Sequence, residues 1–399
     1  MGKLIGALVE LRKSLPPEVT FQMKYLYLIL LASSVACRFS EDFYRILAKE
    51  NAKKNLISSP FSVEIILSMA YMAAGGKTAQ ELRKTLKLPE DKNELASKYR
   101  EFFANLEGRE KAVILDLANR IYVNGKYRLV PEFNQVLQNS FKADAKAISV
   151  DDPVKAASIV NNWVSNKTRG KIGEMVSPTD MNSDLSAILV NAIYFKGQWK
   201  HEFNADQTHT ADFQVSVEKS VPVQMMTLSG SFGAAYLHDL DAKVIELPYR
   251  NSSLSMRIFL PNKIDGLSEL EEKIAGLSVL LRKSTVNVKV PKFKIKFNTQ
   301  LKAILQKLGI RDAFKPSANF EGLVMGSGIK MDKVVQKAYL KVDEKGSKAT
   351  AATGSLIRRK KSVGLPNPLP MEFVADHPFA YIIRDRSTIY FQGHIVKPQ

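Results

Sequence analysis

The stretch that decides the fold is Ser-Ala-Ile-Leu-Val-Asn-Ala-Ile-Tyr-Phe, residues 186–195. Its apolar residues run almost without interruption, and many of them are β-branched or aromatic, the types that favour strands. Polar and apolar side chains do not alternate, so neither face of the strand is marked for solvent. The sequence therefore predicts a strand over residues 184–195 that is buried on both faces.

Helical patterns dominate the chain before this strand. Apolar residues recur at spacings of three and four over residues 39–49 and 60–74, which predicts two helices. Ser62 is a candidate cap for the second of these helices. A third, shorter helix is expected to open at Thr78, because a Glu follows three residues later at the spacing of a capping box.

Strand patterns appear between and after the helices, over residues 115–123, 243–249, 254–260 and 286–297, and residues 250–253 would join the second and third as a hairpin. In the last of these regions the apolar alternation changes phase at Pro291, which predicts a bulge or an edge strand. Residues 38–340 contain no Gly/Ser-rich or Pro-rich linker and no fixed repeat. The order of elements predicts one α+β domain with large sheets.

Composition excludes several classes of protein. The chain has 399 residues, is 45% hydrophobic and carries a formal net charge of +18, so a disordered or collagen-like chain is excluded. Its single Cys, Cys37, permits neither an internal disulfide nor a multi-cysteine zinc site. The positive net charge favours binding to anionic surfaces, but it does not identify a partner.

The N-terminal region has the pattern of an export signal. Lys24 precedes the apolar run of residues 25–37, which is too short to span a bilayer, and Ser34-Val35-Ala36 fits a cleavage site. We therefore expect residues 1–36 to comprise a polar extension and a signal peptide with its core at residues 23–36, and residues 37–399 to form the mature domain. The alternative is a buried first helix.

Two glycosylation acceptors agree with export into an extracellular space. Asn166 begins Asn-Lys-Thr and Asn251 begins Asn-Ser-Ser, and either side chain could carry a glycan once the chain is exported. The sequence thus predicts a secreted glycoprotein.

Enzyme and cofactor motifs are missing from the sequence. Gly76-Lys77-Thr78 resembles the end of a phosphate-binding loop, but that pattern needs Gly where the chain has Tyr71. No two of the five His lie at a metal-binding helical spacing, and no nucleophile elbow occurs. We expect no catalysis, no cofactor and no metal.

Residues 344–370 differ from the rest of the chain and read EKGSKATAATGSLIRRKKSVGLPNPLP. Small residues fill the first half, residues 346–355, and four consecutive bases follow at residues 358–361. One interpretation is a surface loop that is easily cleaved, with a solvated basic run. In the other, the small residues can enter an existing sheet as a strand, while the bases offer a bond to proteases with an acidic pocket.

Motifs spread along the chain in a fixed order resemble those of the serpin family, and of secreted inhibitory insect serpins in particular. The resemblance covers almost the whole chain after residue 36. The motifs are residues 55–62, 74–78, 161–172, 189–203, 308–314 and 376–379. It implies helices packed around three β-sheets, with residues 344–370 as an exposed reactive-centre loop.

The resemblance also implies that the loop has a hinge that can insert into the main sheet. The positions that match the inhibitory pattern are Glu344, Gly346, Ser347, Ala349, Ala351, Ala352 and Thr353. Lys348, Thr350 and Gly354 depart from it, but none adds a bulky inward side chain or a proline. The hinge is therefore expected to be competent for insertion.

Counting from Glu344 in the family's frame places the cleaved bond at Lys360-Lys361, with Lys361-Ser362 as an alternative. Arg358 and Arg359, the residues N-terminal to this bond, would then contribute to the choice of protease. Lysine at the cut predicts a trypsin-like serine protease, held in a covalent complex by a monomeric inhibitor.

Three alternatives stay open. The basic run also resembles the sites of furin-like convertases. A non-inhibitory serpin could instead act as a carrier, and a heparin-like polyanion could bind the stripe of Lys289, Lys292, Lys294 and Lys296. Neither a nucleic acid nor a membrane is expected as a partner.

Overall fold

The computed structural model describes residues 39–107, 113–274, 277, 279–326, 328–346 and 369–398. The predicted extension and signal peptide of residues 1–36 lie outside these ranges, as does most of the predicted reactive-centre loop. Within the described ranges, no helix has the length and apolar character needed to cross a membrane.

The described helices lie mainly in the first half of the chain. They are α1 (residues 39–50), α2 (Pro60–Ala73), α3 (Gly76–Leu86), α4 (Lys92–Glu107), α5 (Pro131–Val136), α6 (Pro153–Lys167), α7 (Leu267–Ile274) and α8 (Lys302–Lys307). A π-helical turn, Leu137–Phe141, continues α5. This confirms the predicted helices that precede the central strand.

The strands of the first half and the middle of the chain are β1 (Leu56–Ser58), β2 (Val113–Asn124), β3 (Asp144–Ile148), β4 (Ala187–Gly197), β5 (His209–Ser216), β6 (Lys219–Leu237) and β7 (Ala242–Pro248). The remaining ones are β8 (Ser255–Pro261), β9 (Arg282–Pro291), β10 (Phe293–Gln300), β11 (Met331–Val342), β12 (Met371–Val374), β13 (Phe379–Arg384) and β14 (Ile389–Ile395). Helices and strands together confirm the α+β class.

The described strands form two sheets. A five-stranded sheet has the order β10-β11-β4-β2-β3, and a nine-stranded sheet has the order β1-β14-β13-β8-β7-β6-β9-β12, with β5 also paired to β6. The expectation was three sheets. The count differs because the long strand β6 pairs with β5, β9 and β7 along its length, which joins two groups of strands into one hydrogen-bonded sheet.

Strand β4 confirms the prediction made from residues 184–195. It lies in the middle of the five-stranded sheet, antiparallel to β2 and parallel to β11. Ten of its 11 residues are buried, with Lys196 the exception at an intermediate exposure. Both of its faces are covered, because Ile193 belongs to one apolar cluster and Val190 to another on the opposite side.

Two predicted helix caps were wrong. Ser59 caps α2, because its hydroxyl accepts a hydrogen bond from the backbone N–H of Ser62, and Pro60 occupies the first helical position. The third helix begins at Gly76 rather than at Thr78. The Thr78 hydroxyl is buried and donates to Asp312 at 2.6 Å, so it joins two segments of the chain instead of capping the start of the helix.

Pro291 marks a change of sheet rather than a bulge. It ends β9 in the nine-stranded sheet, and Phe293 begins β10 in the other sheet. Proline cannot donate a hydrogen bond to a ladder, so the chain leaves one sheet at this residue. The predicted edge strand is correct, because β10 is the edge of its sheet.

A buried group of side chains fastens α1 to the end of the chain. Glu271 of α7 accepts hydrogen bonds from Tyr44 of α1 and from Nδ1 of His394 in β14, the latter at 2.7 Å. Nε2 of His394 faces the carbonyls of Lys54 at 2.8 Å and Asn51 at 3.3 Å. Since both ring nitrogens face acceptors, the doubly protonated ring fits this site.

Stability is expected to fall at alkaline pH through His394. Burial alone would lower the pKa of His394, but the hydrogen bond and charge of Glu271 and the two carbonyls outweigh burial and raise it. The contribution is then complete below the unfolded pKa of about 6.5 and is lost as pH rises through the folded pKa. His394→Gln should cost about 3 kcal/mol in urea unfolding at pH 6 and less at pH 9.

The exposed His209 supplies the matched control for this measurement. His209→Gln should leave the free energy of unfolding unchanged at both pH values. An equal loss in His394→Gln at pH 6 and pH 9 would show that the ring acts by shape and not by charge.

Candidate functional site

The chain turns sharply where the predicted loop begins. Strand β11 ends at Val342, and the N–H of Gly346 donates to the carbonyl of Asp343 at 3.0 Å. Gly346 has a φ of +75°, and a Cβ at this position would lie 2.5 Å from the carbonyl oxygen of Gly197. Glycine is therefore required here both by the backbone conformation and by the close approach of β4.

Glu344 is held at this turn by three contacts. Its Oε1 accepts hydrogen bonds from Nζ of Lys292 and Oγ1 of Thr208, both at 3.0 Å, and its carbonyl accepts from the N–H of Phe203 at 3.0 Å. Burial would raise the pKa of Glu344, but these hydrogen bonds and the charge of Lys292 lower it overall. The carboxylate thus stays ionised and anchors the start of the loop.

Trp199, two residues after β4, fastens the same turn from the other side. Its Nε1 donates to the carbonyl of Asp343 at 3.0 Å and its backbone N–H donates to the carbonyl of Lys345 at 3.3 Å. The indole is stacked on Tyr249 with a centroid distance of 4.6 Å and an interplanar angle of 10°. The loop therefore starts at a rigid point next to the ends of both β4 and β11.

Strands β4 and β11 form a parallel seam. Their register extends from Met331 opposite Ala187 to Leu340 opposite Phe195. Each has an antiparallel partner on its other side. A segment that turns back after Gly346 and enters the seam would run antiparallel to both strands, so one parallel pair would become two antiparallel pairs, which are slightly more stable per residue.

Beneath the seam lies a fully buried cluster of polar side chains. Gln336 of β11 donates from Nε2 to Oδ1 of Asn191 in β4 at 2.7 Å and to the carbonyl of Ser59 at 2.9 Å. Its Oε1 accepts from the Ser58 hydroxyl at 2.9 Å and from the N–H of Ser59 at 3.1 Å. These bonds tie the two seam strands to each other and to the start of α2.

Asn191 extends this cluster away from the seam. Its Nδ2 donates to the carbonyl of Ser62 at 3.2 Å, to the Ser62 hydroxyl and to Oδ1 of Asn119 in β2. The Asn191 and Ser62 side chains are fully buried and Asn119 is 5% exposed. We call Gln336, Asn191, Asn119, Ser58, Ser59 and Ser62 the seam cluster.

The predicted site residues divide between described and undescribed parts. Glu344 and Gly346 are in the turn, where the structure brings them against Lys292 and Gly197. The other predicted residues of the loop lie outside the described residues, namely Ser347, Ala349, Ala351, Ala352 and Thr353 of the hinge, Arg358 and Arg359, and Lys360, Lys361 and Ser362 at the bond.

The predicted stripe of four lysines is not a single surface. Lys289 lies in β9, whereas Lys294 and Lys296 lie in β10 of the other sheet. Lys292 is paired with Glu344 at 3.0 Å and belongs to the anchor of the loop. This idea of a stripe was wrong because the chain changes sheet at Pro291.

Both glycosylation acceptors are exposed. Asn166 precedes the last residue of α6, and the Thr168 hydroxyl of its triplet is buried and donates to the carbonyl of Val164 at 2.8 Å. Asn251 lies in the turn between β7 and β8 with a φ of +47°, and Ser253 of its triplet is exposed.

Several site residues were not found from the sequence. Thr208, Lys292 and Trp199 are far from the loop along the chain and meet it only through the sheet topology. The amide of Asn191, in the middle of a strand that is otherwise apolar, was a usable signal, because a buried amide needs partners. In the described ranges no group of three or more His, Cys, Asp or Glu could hold a metal ion.

Comparisons with known proteins agree with this geometry. Residues 34–398 match a family model described as Serpin (serine protease inhibitor). The chain is 48% identical over 378 residues to Serine protease inhibitor 42Dd of Drosophila melanogaster, covering 94% of this chain and all of that protein. It is 33% identical to the leukocyte elastase inhibitor of Homo sapiens, over 92% of this chain and 99% of that one.

Solved structures give the same result. Serpin48 of the insect Tenebrio molitor superposes with a TM-score of 0.84 at 31% identity, covering 92% of this chain and 98% of that one. Cleaved Serpin 42Da superposes with a TM-score of 0.81 at 32% identity, again over 92% and 98%.

Proposed function

Since the chain belongs to the serpin family of serine protease inhibitors, we propose that it inhibits a trypsin-like serine protease by acting as a suicide substrate. The observation that carries this proposal is the anchored turn at Glu344 and Gly346. This turn lies beside the ends of β4 and β11, and a segment of small residues follows it in the sequence. The seam could therefore accept the segment released by cleavage as an additional strand.

The chemistry belongs to the protease. Its serine Oγ attacks the carbonyl carbon of Lys360, a C–O ester bond forms, and the C–N bond to Lys361 breaks. The serine proton passes through the protease's histidine to the amine of Lys361, which leaves. The inhibitor remains esterified through Lys360, and only water could release it.

Insertion competes with that release. The 14 residues from Ser347 to Lys360 would span about 45 Å as a strand, at roughly 3.3 Å per residue. Entering the seam would therefore carry the esterified protease to the far end of the five-stranded sheet. Distortion of the protease there would leave no geometry for deacylation.

Mixing the protein with trypsin tests this function. A covalent band at the summed mass of trypsin and the inhibitor up to the cut should survive denaturation, and trypsin activity should fall in step with it. If the loop were fully cleaved while trypsin stayed active and no such band appeared, inhibition of trypsin-like proteases would be excluded.

The reactive bond can be assigned in the same assay. Lys360→Ala should slow trapping of trypsin roughly a hundredfold if the cut follows Lys360, because the acidic pocket loses its cation, whereas Lys361→Ala should have little effect. The mass of the released C-terminal fragment identifies the bond directly. The opposite pattern assigns the cut to Lys361-Ser362.

A second target class is the furin-like convertases, favoured by the run from Arg358 to Lys361. Arg358→Ala separates the two, since a convertase reads several bases and trypsin chiefly the residue at the cut. If Arg358→Ala no longer trapped a convertase but still trapped trypsin, the convertase would be identified as a target that reads this run. A carrier without inhibitory activity is the remaining alternative, and it predicts cleavage with no trapping of either protease.

We also propose that the protein is a secreted, monomeric glycoprotein. The support is the signal pattern with its core at residues 23–36 and the exposure of Asn166 and Asn251. After expression in insect cells, the protein should be found in the culture medium. It should begin at Cys37 or Arg38 and lose mass on treatment with a glycosidase. Retention in the cells with residues 23–36 intact would contradict secretion.

A further inference from the structure

Strand β2 has an open edge over its first half. One side of the strand is paired with β4 from Val113 to Val123, whereas β3 covers the other side only from Arg120 onward. Among the described strands, none pairs with the outer side of residues 113–119. This edge therefore offers a further strand a row of backbone N–H and C=O groups about 23 Å long.

A cavity of about 440 Å³ runs along the open edge. Five consecutive residues of β2, from Val113 to Leu117, line it. Because the side chains of a strand alternate between the two faces of its sheet, a space that touches consecutive residues lies beside the strand and not over one face. Residues 114–117 are all partly exposed. The edge is therefore accessible from the cavity.

The wall of the cavity on the side of α4 is apolar. Phe103 and Leu106 of α4 line it together with Leu254 and Tyr390. Leu115 of β2 points to the same side, because it packs against the apolar cluster that contains Leu254 and Tyr390. This wall would accept the apolar side chains of a bound segment.

The wall on the side of α6 is cationic. Lys167, the last residue of α6, and Arg169 line the cavity, as does Lys142, two residues before β3. Arg169 donates to the carboxylate of Asp116 from Nε at 2.8 Å and from Nη2 at 3.3 Å, so the charge of this carboxylate is already neutralised. The described lining thus has a net positive charge on this side.

We propose that the open edge of β2 binds an extended acidic segment of a partner protein as an added strand. Main-chain hydrogen bonds to residues 113–119 would supply affinity, and alternate side chains would supply specificity. Apolar side chains of the segment would face α4, and acidic ones would face Lys167 and Arg169. A small amphipathic anion would leave the backbone groups of β2 unpaired, so a peptide matches more of the surface. Such binding is independent of the proposed inhibitory function.

Binding is tested with the full chain and the fluorescein-labelled peptide Glu-Val-Glu-Val-Glu-Val-Glu, followed by anisotropy. Lys142→Ala/Lys167→Ala should weaken binding about tenfold at 0.15 M salt, because two ion pairs with the peptide are lost. Lys49→Ala/Lys53→Ala, which removes two exposed lysines elsewhere, is the control of equal charge and should bind like the parent. Equal weakening in the two double variants would overturn the site, since binding would then follow net charge alone.

Pairing through the backbone is tested with two N-methylated forms of the same peptide. In a strand, the amides of successive residues point to opposite sides, so either the glutamate amides or the valine amides face β2. Methylation of the set that faces β2 should weaken binding by about tenfold or more, and methylation of the other set should have little effect. Equal binding of all three peptides would overturn the addition of a strand.

Hydrogen exchange measured by mass spectrometry locates the bound peptide. Exchange of residues 113–119 should slow about tenfold in the saturated complex, while exchange in β10, which is an edge of the same sheet and also carries lysines, should not change. Protection of β10 in place of β2 would overturn the site. Binding of sodium laurate in the cavity, with no binding of the peptide, would overturn the assignment to an acidic protein segment.

Discussion

Ser347→Arg is expected to reduce covalent trapping of trypsin roughly a hundredfold, below what a gel detects, while leaving cleavage of the loop intact. Ser347 follows directly after the anchored turn, so it would be the first residue to enter the seam. An arginine there would have to be buried without a partner, which costs several kcal/mol and reduces trapping roughly a hundredfold. Denaturing gels should show a cleaved inhibitor, no covalent band and fully active trypsin.

The matched control introduces the same arginine on the C-terminal side of the cleaved bond. Residue 367 follows either candidate bond in the sequence, and in the proposed mechanism only residues before the cut enter the seam, so Asn367→Arg should trap trypsin as the parent does. Normal trapping by Ser347→Arg would contradict the assignment of the hinge.

Asn191→Ala is expected to cause a large loss of stability. The substitution removes the amide that joins Gln336 of β11 to Ser62 of α2 and to Asn119 of β2, and it leaves buried polar groups without partners. We expect a loss of about 3 kcal/mol in the free energy of unfolding in urea. Because the amide ties the two seam strands, the variant should also exchange amide hydrogens faster in β4 and β11.

Asn298→Ala provides the comparison for this prediction. Asn298 is exposed on β10 of the same sheet, so its substitution should change stability by less than about 0.5 kcal/mol. Similar losses in the two variants would show that the seam cluster adds nothing beyond an ordinary surface amide.

The sequence predicted those parts of the fold that depend on local pattern. Burial of residues 187–197 on both faces follows from an apolar run without alternation, and the early helices follow from their spacing. The resemblance to serpins rested on motifs spread along the chain, and the family match over residues 34–398 confirms it.

Features set by tertiary contacts were not predicted. Both Ser59 and Ser62 suit a helix cap by residue type, and the fixed φ of Pro60 decides between them. The change of sheet at Pro291 separates lysines that look like one stripe in the sequence. The pairing of Lys292 with Glu344 joins residues 52 positions apart and depends on how β10 lies beside β11.

The claim that the loop enters the seam is tested most directly by hydrogen exchange before and after cleavage. The protein is cut in the loop, and the exchange rates of peptides from β4, β11 and residues 347–360 are measured by mass spectrometry. The account predicts that residues 347–360 change from fast exchange to strong protection on cleavage, and that β4 and β11 become more protected. Fast exchange of residues 347–360 in the cleaved protein, with β4 and β11 unchanged, would contradict it.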